Sequence, residues 1–450
     1  MRGKPNGAKY GAGSIAARAR SRFAMSFLSN HRAVTTESVQ RLTFAETVVI
    51  RGQPTSAVGD RGRRLFTELR LWRRANHPRS ERFYWHALKP IAAAALILWF
   101  APRYALAVRR RFGVPVSEQI AALCRLGFIE WVNPRCYYFH EHYRRRGTVD
   151  CSAYVMRHEF KEGLLRSLHK LRPRVHGKRV NLGHKLAFAE TADRFGLPTP
   201  KIGAIVQGGR VTIRDRAALT GDLFVKPEQG RGAVGAEAFR RRADGKFAIG
   251  DDTFALSDLL QSLATGARRR PKLVQTLLRN HPQLADLAGT ALVTIRIITV
   301  MSTEEQPLVT HAMLRTISKL EPDWPGGEEF AAPIDIMSGR LGLMCGDTAI
   351  GPQHWYQRHP VTGAAVTGRI VPQWPAIREL AIRAHRVFAD RMIVGWDIAL
   401  TPEGPVLLEG NSYPDTEFLQ RVHRQAIGDS PLGPPLAHQL GRLEALRGGF

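Results

Sequence analysis

Residues 395–411 read GWDIALTPEGPVLLEGN: two apolar runs around a tight turn, interrupted by Asp397, Glu409 and Asn411. Thr401-Pro402-Glu403-Gly404 suits a type I turn, with Pro at its second position and Gly in the left-handed position that closes a three-residue hairpin loop. That loop sets Thr401 opposite Pro405, where proline opens the second strand and its missing N–H breaks no ladder. Counting back along both strands places Asp397 opposite Glu409, with Asn411 two residues on and on the same face. Opposed carboxylates with Cβ atoms about 5 Å apart repel, so the hairpin needs a neutralising group. Mg²⁺ meets that need, taking oxygen ligands from few carboxylates and keeping its other sites for water and phosphate. The alternative is an arginine such as Arg296 lodged between the acids.

The apolar fraction of 44% and charged fraction of 23% are ordinary for a globular chain, so the net charge of +27 is the unusual property. It is unevenly placed. Residues 1–180 carry 35 Lys+Arg against 11 Asp+Glu, and residues 181–450 carry 31 against 28. A near-neutral body with a basic N-terminal part is drawn to anionic surfaces: nucleic acid, acidic lipid headgroups or acidic polymers. Aromatic residues in YYFHEHY (137–143) could stack on bases, but no nucleic-acid module is recognisable, so a nucleic-acid partner is not expected. Four cysteines without CxxC spacing fit a reducing compartment. Ile91–Phe100, IAAAALILWF, covers about half a bilayer core, so a buried helix is expected there rather than a span. Residues 1–28 lack the apolar run of a secretory signal.

Along the chain, residues 1–60 show no sustained periodicity and are expected to be disordered. Residues 61–175 read as a basic helical region, as in SEQIAALCRLGFIEWV, where Ser117 can cap and apolar positions recur at three and four. His140, Glu141 and His142 do not share a helix face, so core packing is expected rather than a metal site. From 176 the texture becomes strands alternating with helices, with strands expected at 202–206, 222–226, 272–278, 292–301, 307–315, 393–400 and 405–409. A tail follows from 431 to 450. DLFVK (222–226) ends in Lys226 and runs into PEQGRGAVGAEAF, where Gly230, Gly232 and Gly235 let backbone N–H groups approach phosphate. A plain surface loop punctuated by glycine fits the same residues.

A strand lysine, a glycine-rich loop and a C-terminal hairpin with Asp…Glu-x-Asn, in this order, resemble the ATP-grasp superfamily. The chain resembles more narrowly the sugar-transfer-associated ATP-grasp family, through PRCYYFHEHY, LVQTLLRNHPQL (273–284), ALVTIRIITV (291–300), RHPVTG…GRIVPQW (358–374) and the hairpin, spanning about residues 110–425. The resemblance implies an α+β, ATP-grasp fold: two α+β subdomains clasping ATP over residues 176–430, preceded by the basic, mainly helical N-terminal region. It implies that Lys226 holds the α-phosphate end and that the loop Gly230–Gly235, with Gly232, closes over the β/γ-phosphates. Lys185, opening a helix, resembles the earlier nucleotide-contacting lysine. Gln275 to Leu278, with Leu277, resembles the hinge at the adenine edge.

Arg296, inside an apolar strand, cannot easily be buried unpaired. It and Arg315 would face transferred phosphate, a structural salt bridge being the other reading for each. Asp397, Glu409 and Asn411 would ligate Mg²⁺. The implied activity is an ATP- and Mg²⁺-dependent ligase, joining a small-molecule or sugar-linked carboxylate to an amine or hydroxyl acceptor in cell-surface polysaccharide modification. A small-molecule kinase on the same fold, or a basic membrane- or nucleic-acid-binding protein, are the competing readings. The expected location is cytoplasmic, at the inner face of the membrane.

Overall fold

The computed structural model describes residues 79–130, 132–144, 153–155, 165–175, 180–230, 235–267, 270–288, 291–317, 329–346 and 354–448. The segment 1–60, expected to be disordered, lies outside the described residues. The N-terminal region is helical: α1 (Arg79–Phe112), α2 (Val116–Cys124), α3 (Arg135–Phe139) and α4 (Leu165–Lys170). Helix α2 starts at Pro115, whose fixed φ of −57° is already helix-compatible. Ser117 therefore lies inside the first turn and does not cap. Helix α1 buries one face: Ile97, Phe100, Ala101 and Val108 pack with Leu123, Leu126, Tyr137 and Tyr138. Its other face stays exposed, so the expectation of a buried helix holds for one side only.

After α5 (Lys185–Arg194) come β1 (Ile202–Gln207), β2 (Arg210–Ile213), β3 (Leu223–Pro227), β4 (Glu237–Arg241), β5 (Phe247–Ile249), β6 (Asp252–Phe254), α6 (Leu256–Gly266) and β7 (Lys272–Thr276). The strands form an antiparallel sheet in the order β2-β1-β7-β3-β4-β5-β6. Helix α6 packs Leu259, Leu260 and Leu263 with Val206, Leu223 and Val225 of this sheet. Asn280 links the two halves of the fold. Its side chain donates to the Ala291 carbonyl (3.0 Å) and accepts from the Val293 amide (2.8 Å), while the His281 amide donates to the Leu400 carbonyl (2.8 Å).

The second half contains β8 (Thr294–Met301), β9 (Pro307–Ile317), β10 (Glu329–Ile334), β11 (Cys345–Gly346), α7 (Trp374–Val387), β12 (Ile393–Thr401), β13 (Gly404–Asn411), α8 (Thr416–His423) and α9 (Gly433–Gly448). Its antiparallel sheet runs β11-β10-β9-β8-β12-β13. The period-2 alternation of side chains divides this sheet into two faces. One carries Ile295, Ile297, Ala312, Leu314, Val394, Trp396 and Ile398, packed against Ile377, Leu380, Ala381 and Ala384 of α7. On the other, Ile298, Val300, Met313, Ala331 and Ile393 are covered by α4, α8 and α9. The expected tail 431–450 thus holds a helix whose Leu436, Ala437 and Leu440 enter this core.

Candidate active site

The hairpin β12–β13 closes differently from the turn chemistry. Thr401 pairs with Gly404 and Leu400 with Pro405, so the loop has two residues, Pro402 and Glu403, and not three. The register then shifts between Asp397 and Ile398: Ile398 faces Leu407, and Asp397 faces Glu409. A β-bulge at Leu408 therefore supplies the extra residue that the turn does not. Asp397 ends opposite Glu409 by this second route. Asn411 pairs with Gly395 on the same face.

On β8, Arg296 faces Asp397 from the other side. Arg296 faces Met313 on β9, which puts Arg315 two residues on along the same face. Arg315 faces Ala331 on β10, and Glu329 lies two residues before it. One face of the sheet thus carries, strand by strand, Glu329, Arg315, Arg296, Asp397 and Glu409. The contacts follow this order. Arg296 grips Asp397 through both Nε and Nη2, the latter at 2.7 Å from Oδ2. Arg315 pairs with Glu329 through Nε and reaches Asp397 Oδ1 from Nη1 at 3.5 Å. The expected cation is therefore not the sole neutralising group, because two arginines already answer Asp397. Glu329 was missed in the sequence; the signal was Arg315 itself, which cannot be buried in a strand without an acid.

Charge on these groups follows from their neighbours. Burial raises the Asp397 carboxyl, but Arg296 and Arg315 outweigh it and hold the group below its ordinary range. Burial, and then the charge of Asp397, push Glu409 up, against the pull of Arg296 and Lys226. Asn411 Nδ2 donates to Glu409 Oε1 at 3.3 Å.

Strand β3 and helix α5 supply the facing cations. Lys226, near the end of β3, is lowered to about 8 by burial; Glu409 opposes this shift and Lys185 adds to it. Lys185 is also lowered by burial, against Glu409 and Glu228. Helix α5 presents Lys185 in its first turn because His184 caps it, Nδ1 accepting from the Ala187 amide at 3.3 Å. Glu228 Oε1 lies 3.2 Å from the same ring nitrogen, a neighbour not foreseen from sequence. Lys185 Nζ donates to the Gly230 carbonyl at 3.1 Å, joining the helix to the glycine loop. Gly230 (φ +147°) and Gly235 (φ +74°) take conformations that favour glycine; Gly232 lies outside the described residues.

The stretch Gln275–Leu278 covers the end of β7 and the first residues of the crossing to the second sheet. Gln275 is buried, its Nε2 3.5 Å from the Pro200 carbonyl, and the Leu277 amide donates to the Asp222 carbonyl at 2.8 Å. These two groups are spent within the protein. Leu278 is half-buried. Lys185, Lys226, Glu409, Asp397, Arg296 and Arg315 are thus linked through space, while Gln275 and Leu277 are held by their own sheet.

The model of the sugar-transfer associated ATP-grasp family matches residues 169–429, more than half of the chain. The chain belongs to this family. The resemblance read from the sequence and its α+β fold, with two subdomains after a helical N-terminal region, are both met, and membership makes the chain an ATP-grasp enzyme. No curated protein sequence matches it.

Similar solved structures include VanG D-Ala:D-Ser ligase from Enterococcus faecalis, at 14% identity over 58% of this chain and 61% of that one, with a TM-score of 0.34. They also include a D-alanine–D-alanine ligase from Bacillus anthracis complexed with ATP, at 11% identity, 60% and 68% coverage and a TM-score of 0.33. A third is carboxyaminoimidazole ribonucleotide synthase from Aspergillus clavatus complexed with ATP, at 14%, 57% and 54%, and 0.31. The match spans less than two thirds of the VanG chain, and likeness of this degree carries nothing about substrate.

The ATP-grasp site fits a divalent cation and a polyphosphate. Glu409, Asn411 and Asp397 form an all-oxygen donor set, and the raised Glu409 carboxyl would gain from a positive neighbour. Lys226 and Lys185 gain equally from phosphate oxygens, which would restore the charge that burial opposes.

Proposed function

We propose that this protein is an ATP- and Mg²⁺-dependent ligase that activates a carboxylate as an acyl-phosphate and passes it to an amine or hydroxyl. The observation that carries this is the charged row on the second sheet facing Lys226 of β3 and Lys185 of α5. Phosphoryl transfer asks little covalent help of a protein and much positioning and charge neutralisation.

Lys226 and Lys185 hold the ATP phosphates, with Gly230 tied to Lys185 Nζ through its carbonyl. Arg296 and Arg315 are preoriented by Asp397 and Glu329, so their outward N–H groups meet the anionic acyl-phosphate without reorganising. The substrate carboxylate attacks the γ-phosphorus and its bond to the β,γ-bridging oxygen breaks, giving acyl-phosphate and ADP. The amine or hydroxyl then adds at the acyl carbon and inorganic phosphate leaves. Glu409 and Asn411, with Asp397 shared between metal and arginines, would hold Mg²⁺, which supplies further neutralisation of the phosphates. A sugar-linked substrate is the reading that the family's description favours. A cytoplasmic location is part of this reading, because ATP is available there.

The test has two arms. ATP with Mg²⁺ raises the melting temperature of the wild type and not of Lys226→Met. A panel of carboxylates with amine or alcohol acceptors then yields ADP, inorganic phosphate and an amide or ester. A stable phosphorylated acceptor would replace the ligase with a kinase, and no ATP–Mg²⁺ stabilisation would remove both.

A further inference from the structure

Helix α1 has an outer face that the catalytic reading does not use. Ile91, Ala95, Leu98, Trp99, Pro102 and Leu106 recur three and four residues apart and are exposed, with Leu98 74% and Ile91 65% accessible. Such a stripe is one side of a helix. Among the described residues, seven of the fifteen exposed large hydrophobic side chains fall in residues 91–129, so the exposed apolar surface is concentrated in the N-terminal helices. Exposed clusters of this kind mark contact surfaces.

Charge says what the contact is. Arg103 lies over the Trp99 ring at 3.5 Å from its centroid and donates to the Trp99 carbonyl at 2.7 Å. Arg109, Arg110 and Arg111 follow in the last turn, all exposed. The sequence before residue 181 has three times as many basic as acidic residues. A protein partner with an acidic rim would answer some of this, but an apolar stripe carrying tryptophan and edged by arginine is the composition that lies at the headgroup level of an anionic bilayer. Pro90–Phe112 is long and apolar enough to cross a membrane by length and composition, with a mean hydropathy of 1.8. Its inner face, however, is committed to the protein: Ala93, Ile97, Phe100, Ala105 and Val108 are buried, and several pack against α2 and α3. Crossing would strip that core, whereas lying flat keeps it.

We propose that the outer face of α1 is a membrane-docking surface, inserting Leu98, Trp99 and Leu106 among the headgroups of an anionic bilayer with Arg103, Arg109 and Arg110 against lipid phosphates. This holds the ATP site near a bilayer surface, and it stands independently of which acceptor is used.

The experiment is vesicle flotation of the full chain with phosphatidylglycerol/phosphatidylcholine vesicles and with phosphatidylcholine alone. Binding is expected only to the anionic vesicles, and it weakens with added salt. Leu98→Glu with Leu106→Glu lowers it at least tenfold, leaving the melting temperature and the ATP–Mg²⁺ response unchanged. Arg103→Gln, Arg109→Gln and Arg110→Gln together remove the preference for anionic lipid. Absence of binding, or wild-type binding by both variants, overturns the proposal. A melting temperature lowered by the glutamates would show the face covered within the chain, and a wild-type dimer that they dissociate would make it an interface between copies; each overturns it too.

Discussion

Burial works against the charges of both Lys226 and Glu409, which attract each other, so a bound phosphate or cation would favour the charged form of each. For Lys226, the unfolded chain titrates near the ordinary 10.5 and the folded protein near 8. Between those values the unfolded state binds more protons, so stability rises with pH over that window, and the cost is full below about pH 8. Lys226→Met removes the cost. At pH 7 it should raise the melting temperature of the ligand-free protein, flatten the rise between pH 8 and 10.5, and abolish stabilisation by ATP; calorimetry over a pH series checks all three. In the wild type, ATP affinity should fall above about pH 8, as Lys226 surrenders its proton before it meets phosphate.

Glu409 runs the other way. Its folded value lies above the ordinary 4.5, so the folded state holds the extra proton and stability falls as pH rises through that interval. Mg²⁺ competes with this proton, so its stabilising effect should grow with pH. Glu409→Gln should leave the ligand-free protein as stable or more so at pH 7, while lowering kcat/KM by roughly 100-fold, the scale seen when a metal-site group is lost. A Glu409→Gln protein that kept full ATP–Mg²⁺ stabilisation would remove Glu409 from the metal site.

At the scale of elements, the hairpin shows how two wrong local steps can leave a right pairing. The Thr-Pro-Glu-Gly signal gives a turn but not its length, and nothing in PVLLEG marks Leu408 as a bulge; the two displacements cancel at Asp397 and Glu409. What survives is the requirement that the acids share a face, which any register satisfying the buried side must meet. The strands legible in sequence, β1, β3, β7, β8, β9, β12 and β13, are those with long apolar runs. The short strands β2, β4, β5, β6 and β11 went unread because they are polar, edge-lying or only two to five residues long, and their identity depends on a partner strand. Strand β10 begins beside the polar run KLEPDWPGGEEF, which hid both it and Glu329.

The glycines of the hairpin also gain a reason from packing. A Cβ on Gly410 would stand 2.7 Å from Trp396 Cζ3 and 3.2 Å from Leu182 Cδ1, and Trp396 is fixed by its hydrogen bond to Thr299. Gly410→Ala should therefore cost about 1–3 kcal/mol, the range for an overpacked core. It also shifts the strand between Glu409 and Asn411, so the ATP–Mg²⁺ response should weaken with it. Chemical denaturation measures the first effect and thermal shift the second.

For the whole molecule, the question is whether the basic helical region is an appendage or part of the enzyme's core. The sequence boundary near 175/176 separates two textures, but the contacts run across it. Gln420 of α8 accepts from the Val155 and Ile427 amides and donates to the Val155 carbonyl, all at 2.9–3.0 Å. Arg135 pairs with Glu417, and Trp355 Nε1 donates to Glu141 at 2.7 Å. Val155, Leu165 and Leu168 are fully buried in the cluster that also holds Ile298, Val300 and Met313, on the face of the sheet that carries the charged row. Three such side chains contribute about 1.5–3 kcal/mol each. Removing them, and orphaning Gln420, costs an amount comparable to the entire stability of an ordinary domain, about 5–15 kcal/mol. A fragment spanning residues 176–450 should consequently fail to give a cooperative melting transition and should expose enough of α8 and α9 to aggregate. Cutting on the near side of residue 79 instead leaves each of these contacts intact. If the shorter fragment melted cooperatively with its ATP–Mg²⁺ response intact, the helical region would be an appendage after all.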